Sequence, residues 1–164
     1  MCSSDLVGRL LNNLGGLEFL LGRPEDAVAR LKEAFAIALD LGHDVDSAAA
    51  VASLAQVHLR TGDAEKAEEQ ARHALEILEG HDDLLEHIGS SRLVLGRALL
   101  EQDRLDEAEE MLSAADDTYA QFSSVAHRSA VWVAQGDLAR KRGDEAGAAE
   151  IYRRAAEALQ DSRF

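Results

Sequence analysis

The chain has 164 residues, enough for one compact domain or one short repeat array. Its net charge of −14 argues against binding phosphate backbones. Only 4% aromatics and a single proline, among abundant Ala, Leu, Glu and Arg, argue against a strand-rich fold. The lone Cys2 excludes an internal disulfide, and no apolar run approaches the roughly 18 residues of a membrane helix. With no signal peptide visible, a cytoplasmic all-α protein is expected.

The opening MCSSDL matches the translation of a common sequencing-adapter end. Residues 1–5 are therefore expected to be non-native or disordered, with the natural protein continuing upstream. From Leu6 the chain reads as helix pairs over about 6–42, 46–80, 84–121 and 126–161. Gly22, Gly62 and Gly143 stand where a first helix should end, because glycine accepts the left-handed cap conformation. Pro24 suits the first position of a second helix, where its missing N–H costs nothing. Asp63 and Asp144 are expected to cap the helices that follow them. Acids in each first turn (Glu25, Asp26, Glu65, Asp106, Glu107, Glu145) complement the positive end of the helix dipole.

Four stretches superpose without gaps, starting at Leu14, Leu54, Leu95 and Gln135, a spacing of 40, 41 and 40. Each carries a small residue at its second position: Gly15, Ala55, Gly96 and Gly136. Twelve residues on come Ala27, Ala67, Ala108 and Ala148, and four further come Leu31, Ala71, Leu112 and Tyr152. A small residue midway along one helix lets a second helix approach closely, and larger residues fill the space around it. Each pair buries only part of its apolar face, so the pairs must stack.

This ladder resembles the tetratricopeptide repeat, whose signature is W-x2-L-G-x2-Y followed by A-x3-F. Trp132-x2-Gln135-Gly136-x2-Ala139 and Ala148-x3-Tyr152 show it best. The resemblance covers roughly residues 6–160. It implies an α-solenoid of about four antiparallel helix pairs in a right-handed superhelix. The period departs from the usual length of about 34 residues. The extra residues fall near 41–44, 79–82 and 121–124, where longer helices would absorb them.

First helices of such arrays line the concave side, which takes a peptide or a helix. Helical periodicity places Arg9, Asn12, Gly16 and Phe19 there in the first unit, and Ala49, Ala52, Gln56 and Leu59 in the second. The third unit offers Ser90, Leu93, Arg97 and Leu100, and the fourth Ala130, Val133, Asp137 and Arg140. Arginines mixed with apolar side chains point to a partly apolar peptide or helix. Tetratricopeptide domains that hold chaperone C-termini use lysines and asparagines as a carboxylate clamp, and Gly16 with the small second-unit residues leaves that clamp unmade.

No motif calls for catalysis or a cofactor. Gly136, Gly143 and Gly147 fit neither a Walker loop nor G-x-G-x-x-G. Asp83 and His87 share one helical face in HDDLLEH, but this is neither H-E-x-x-H nor a site with a third ligand, and no metal is expected. His58 reads as a core residue. Ser123, Ser124 and His127 read as connector. At the C-terminus, Ile151, Leu159 and Phe164 are expected to stay exposed and to favour a homodimer through that unit.

The stretch from His127 to Phe164 resembles the C-terminal repeats of actinobacterial helix-turn-helix transcription regulators, as does the G-R-P-E-D-A corner at residues 22–27. That resemblance implies a tail that receives a peptide signal or dimerises, behind a DNA-binding domain upstream. No recognition helix lies in these 164 residues, so this segment is not expected to touch nucleic acid. A free-standing adaptor is the alternative; a metal-dependent enzyme is the weaker one.

Overall fold

A computed structural model describes residues 3–121 and 125–161. It contains eight described helices and, among those residues, no strand: α1 Ser3–Leu20, α2 Pro24–Asp40, α3 Asp44–Arg60, α4 Ala64–Ile77, α5 Leu85–Glu101, α6 Leu105–Ala120, α7 Val125–Lys141 and α8 Glu145–Asp161. Each odd-numbered helix packs against the next even-numbered one, and each pair packs on the following pair. This is the α-solenoid that the repeat implies. Five of the helices have 17 residues, so the long period is taken up as extra helical turns. α1 begins at Ser3, inside the 1–5 stretch expected to be non-native or disordered; residues 1 and 2, and Ser123, Ser124 and Phe164, lie outside the described residues.

The corners follow local chemistry. Gly22, Gly62 and Gly143 have φ of 76, 84 and 82°, the left-handed region that closes a helix. In the third unit Asp103 takes this position at φ 57°, which its short polar side chain tolerates better than most. Asp63 accepts from the Lys66 N–H at 3.2 Å, and Asp144 from the Gly147 N–H at 2.8 Å. Both therefore cap the next helix, and the glycines around Asp144 form a corner.

Within each pair the ladder is a size code. A Cβ built on Gly96 would stand 2.8 Å from Leu112 Cγ, and one on Gly15 would stand 2.7 Å from Leu31 Cγ. One on Gly136 would overlap the Tyr152 ring. Where the first helix carries Ala55, the second carries Ala71, and both are wholly buried. A glycine thus faces leucine or tyrosine, and an alanine faces alanine, so the cross-section at this rung stays filled at near-constant volume. Ala27, Ala67, Ala108 and Ala148 are at most 2% exposed and let the helices close together one turn away.

The core is divided. One cluster runs through α3 to α7, from Ala55 and Ala71 to Leu95, Leu99, Leu112, Tyr119, Val131 and Leu138. Two smaller clusters join the first pair to α3, around Leu31, Leu54 and Val57, and around Val51 and Ala74 with Phe35. Polar ties cross the pairs. Glu68 of α4 accepts from Arg72 at 2.8 Å, from Gln102 at 2.8 Å and from Arg104 at 2.7 Å. Burial pushes the Glu68 carboxyl up, but these three donors outweigh it and hold it below the usual carboxylate range. Arg142 reaches back to Asp106 at 2.8 Å and Glu109 at 2.9 Å, and Arg128 reaches Asp116 at 2.8 Å.

Candidate functional site

The first helices α1, α3, α5 and α7 share one side of the array, and three clefts open along it. The one nearest the C-terminal end is about 320 Å³ and is lined by Leu59 and Arg60 of α3, Arg97, Leu100 and Glu101 of α5, and Asp137, Arg140 and Lys141 of α7. A second, about 170 Å³, lies between Ala49, Ala52 and Gln56 of α3 and Glu86, His87 and Ser90 of α5. A third, about 210 Å³, is lined by Gly8, Arg9, Asn12 and Asn13 of α1, Ala34 of α2, and Asp46 and Ala49 of α3.

Five of the residues picked from the sequence, Leu59, Arg97, Leu100, Asp137 and Arg140, meet in the first cleft. Leu100 forms its floor at 4% exposure. Gln56 lines the second cleft and donates to Ser90 Oγ at 3.4 Å. Arg9 and Asn12 line the third; Arg9 pairs with Asp46 at 3.2 Å, and Asn12 Oδ1 is buried with no hydrogen-bond partner among the described residues. Three picks stand apart from these clefts. Phe19 packs on the first cluster with the Arg60 guanidinium 5.1 Å over its ring, Leu93 packs on the main cluster, and Val133 is 38% exposed.

The sequence reading missed Arg60, Glu101 and Lys141. They form one column, each a single residue beyond Leu59, Leu100 and Arg140, and the stacking turns that column into the cleft. A wider depression of about 540 Å³ between α4, α5 and α6 was also missed; Leu75, Arg92 and Met111 help line it. Nothing in the periodicity marks it.

The charges of the first cleft are unevenly committed. Asp137 accepts from Tyr152 Oη at 2.7 Å and from Arg140 at 3.2 Å, and Lys141 is bound to Asp103 at 2.6 Å. Asp137 raises the Tyr152 hydroxyl above its ordinary value, chiefly by accepting its proton in a hydrogen bond. Arg97 donates to the Ala130 carbonyl at 3.3 Å. Among the described residues, neither Arg60 nor Arg97 has a carboxylate partner. In a chain of net charge −14, this cleft gathers four cations against two carboxylates, beside Leu59 and Leu100. Low-dielectric walls strengthen such a local field.

The histidine and metal readings need correction. Asp83 precedes α5, whereas His87 lies within it half-buried against the second cleft, so they do not share a helical face. Among the described residues no group of three or more His, Cys, Asp or Glu is arranged to hold a metal ion. His127 belongs to α7 rather than to a connector, and its ring stacks on Tyr119 at 4.9 Å. Burial lowers the pKa of His58, which is half-buried on α3. Trp132 is 6% exposed between the guanidiniums of Arg128 and Arg154, at 5.0 and 4.0 Å from its ring. No described helix is long and apolar enough to cross a membrane.

Stacked antiparallel helix pairs with a glycine–alanine ladder define a helical-repeat protein with a concave face. Two family models, both described as tetratricopeptide repeat, match residues 6–80 and 89–114. These segments are tetratricopeptide repeats. No curated protein matches the sequence. Among solved structures, the chain is similar to BtubC (BKLC) from P. vanneervenii, with TM-score 0.80, 21% identity, and 98% of this chain and 66% of that one covered. It is similar to a Rap protein complexed with Competence and Sporulation Factor, with TM-score 0.86, 18% identity, and 97% and 44% covered. Similarity to the apo form of RapI gives TM-score 0.83 at 14% identity, with 95% and 57% covered. At these identities the likeness is one of fold, and the chain spans between 44 and 66% of those proteins' length.

Proposed function

We propose that the chain is a peptide-binding module, with its main site in the cleft of Leu59, Arg60, Arg97, Leu100, Asp137 and Arg140. The observation that carries the reading is the pair of arginines, Arg60 and Arg97, without carboxylate partners beside two leucines in an otherwise acidic protein. Guanidinium groups take a carboxylate in forked hydrogen bonds, and the leucines take an adjacent apolar side chain. The ligand class is a short peptide with a carboxylate next to an aliphatic or aromatic residue. A solved neighbour of the same fold, complexed with Competence and Sporulation Factor, supports use of this fold for a signalling ligand.

The wider role that fits is the sensing tail of a cytoplasmic transcriptional regulator. The resemblance of residues 127–164 to such tails supports it, and the alternative is a free-standing adaptor. In this reading the segment contacts neither nucleic acid nor membrane and has no catalytic step. Self-association through the C-terminal unit has modest support: Leu159 is 40% exposed, but Ile151 is half-buried. Ala149 and Ala156 of α8 stand where α2 has Val28 and Phe35, so α8 offers the next layer only methyl groups.

The test is selection from a random peptide library, followed by titration of the best binders. Binders should share an acid beside an apolar residue, and Arg97→Ala and Leu59→Ala should each weaken them at least about tenfold. Binders that lack acids, or that are indifferent to Arg97→Ala, would overturn the site. Sequencing the genomic DNA upstream of Leu6 tests the regulator role; a stop codon and ribosome site just before Leu6 would remove it.

A further inference from the structure

The outward side of α1 is apolar and uncovered. Leu6, Leu10, Leu17, Leu20 and Leu21 are 62, 56, 52, 74 and 60% exposed, and Val7 is 45% exposed. The same register is buried in every later unit. Val7, Leu10, Leu14 and Leu17 correspond to Ser47, Ala50, Leu54 and Val57 of α3, which are at most 4% exposed where α3 packs on α2. In α7 the corresponding positions include Val131 and Leu138, at 0 and 5%. The positions that join each first helix to the layer before it are therefore large and bare on α1.

We infer that this face pairs with α1 of a second copy of the chain, antiparallel, about a two-fold axis passing between Asn13 and Leu14. Three observations favour a second copy. First, the apolar pattern reads the same in both directions: Leu6 mirrors Leu21, Val7 mirrors Leu20, and Leu10 mirrors Leu17 about that point. An isologous interface requires this self-complementarity. Asn13, exposed at the centre, is the kind of polar residue that fixes register in an apolar helix seam. Second, the local charge permits approach. Asp5 and Glu18 against Arg9 and Arg23 leave residues 1–23 neutral, in a chain that elsewhere repels its own kind. Third, the patch suffices in size. It amounts to on the order of 600 Å² per copy, at the upper end for a monomer's largest patch and enough for two copies to bury an interface of specific size.

The test uses the full chain. Sedimentation equilibrium should show a monomer–dimer equilibrium. Leu10→Glu with Leu17→Glu should raise the dissociation constant at least about 100-fold while leaving the far-UV helix signal unchanged. Cysteine pairing then tests the geometry in a Cys2→Ser background. Leu14→Cys, next to the axis, should form a covalent dimer under mild oxidation. Leu6→Cys should not, because its own copy lies about 20 Å away across an antiparallel pair. A monomer at all concentrations up to about 500 μM would overturn the proposal, as would a dimer untouched by the double glutamate variant. Ready cross-linking of Leu6→Cys would show a parallel pair and overturn the two-fold arrangement.

Discussion

Gly96 and Leu112 should be energetically coupled, and the second unit shows why. In wild type, a Cβ on Gly96 meets Leu112 Cδ2 and Cγ at 2.8 Å, with the Leu112 backbone N at 3.4 Å as its next neighbour. Gly96→Ala therefore forces Leu112 aside. Overpacking of this kind costs about 1–3 kcal/mol, offset by about 1 kcal/mol of helix propensity, so a net loss of about 1 kcal/mol is expected. Leu112→Ala alone should cost about 2–5 kcal/mol, since Leu112 is fully buried. With Leu112 truncated, only the backbone contact remains, and the new methyl partly fills the hole. Gly96→Ala should then stabilise by about 1 kcal/mol, giving a coupling of about 2 kcal/mol. The double variant recreates the Ala55–Ala71 pair found one unit earlier. Urea unfolding followed by circular dichroism measures all four corners of the cycle. Additive losses would refute the size code.

Stability should be lost as pH falls below about 4.5. The donors around Glu68 hold its carboxyl below the 4.5 of a free glutamate, so its contribution is intact above that value and disappears as it protonates in the fold. Glu68→Gln should cost on the order of 1 kcal/mol at pH 7 and flatten the acid limb of a stability–pH profile; an unchanged limb would remove Glu68 from the account. Trp132, the one tryptophan, sits in the last unit with its indole N–H buried and unpartnered among the described residues. Trp132→Phe should therefore be neutral or stabilising by up to about 1 kcal/mol in thermal unfolding, and a loss above about 2 kcal/mol would show that the indole matters for its volume or its arginine stacking. Because the main cluster ends before the first pair, amides of α1 should exchange with deuterium faster than those of α5; uniform protection would contradict the division.

How much of this was readable in the sequence depends on whether a feature belongs to one helix pair or to the stack. The ladder from Gly15 to Tyr152 was readable because contact within a pair depends on residue size at fixed spacing. The corners at Gly22, Gly62 and Gly143 were readable because left-handed backbone selects glycine, whereas Asp103 hid the third corner behind a side chain that also accepts it. The cleft was half readable: the column of Leu59, Leu100 and Arg140 follows from one helix, but Arg60, Glu101 and Lys141 enter it only through the stacking between pairs. The leucines of α1 read as core, since nothing within a helix says whether another layer lies beyond it. His87 and His127 were assigned to connectors because the helix starts there lack a clear cap; the residue before α5 is Leu84, with no side-chain bond to the first turn.

The alternation of glycine–leucine with alanine–alanine rungs also restricts how such a gene can be rearranged. A recombination point between units carries each matched rung across intact. One at a corner such as Gly62 or Gly143 would join a first helix to a foreign second helix, setting Ala55 against a leucine or Gly136 against an alanine. Intact hairpins are thus the units that duplication can multiply, and a single rung per hairpin is enough to enforce it.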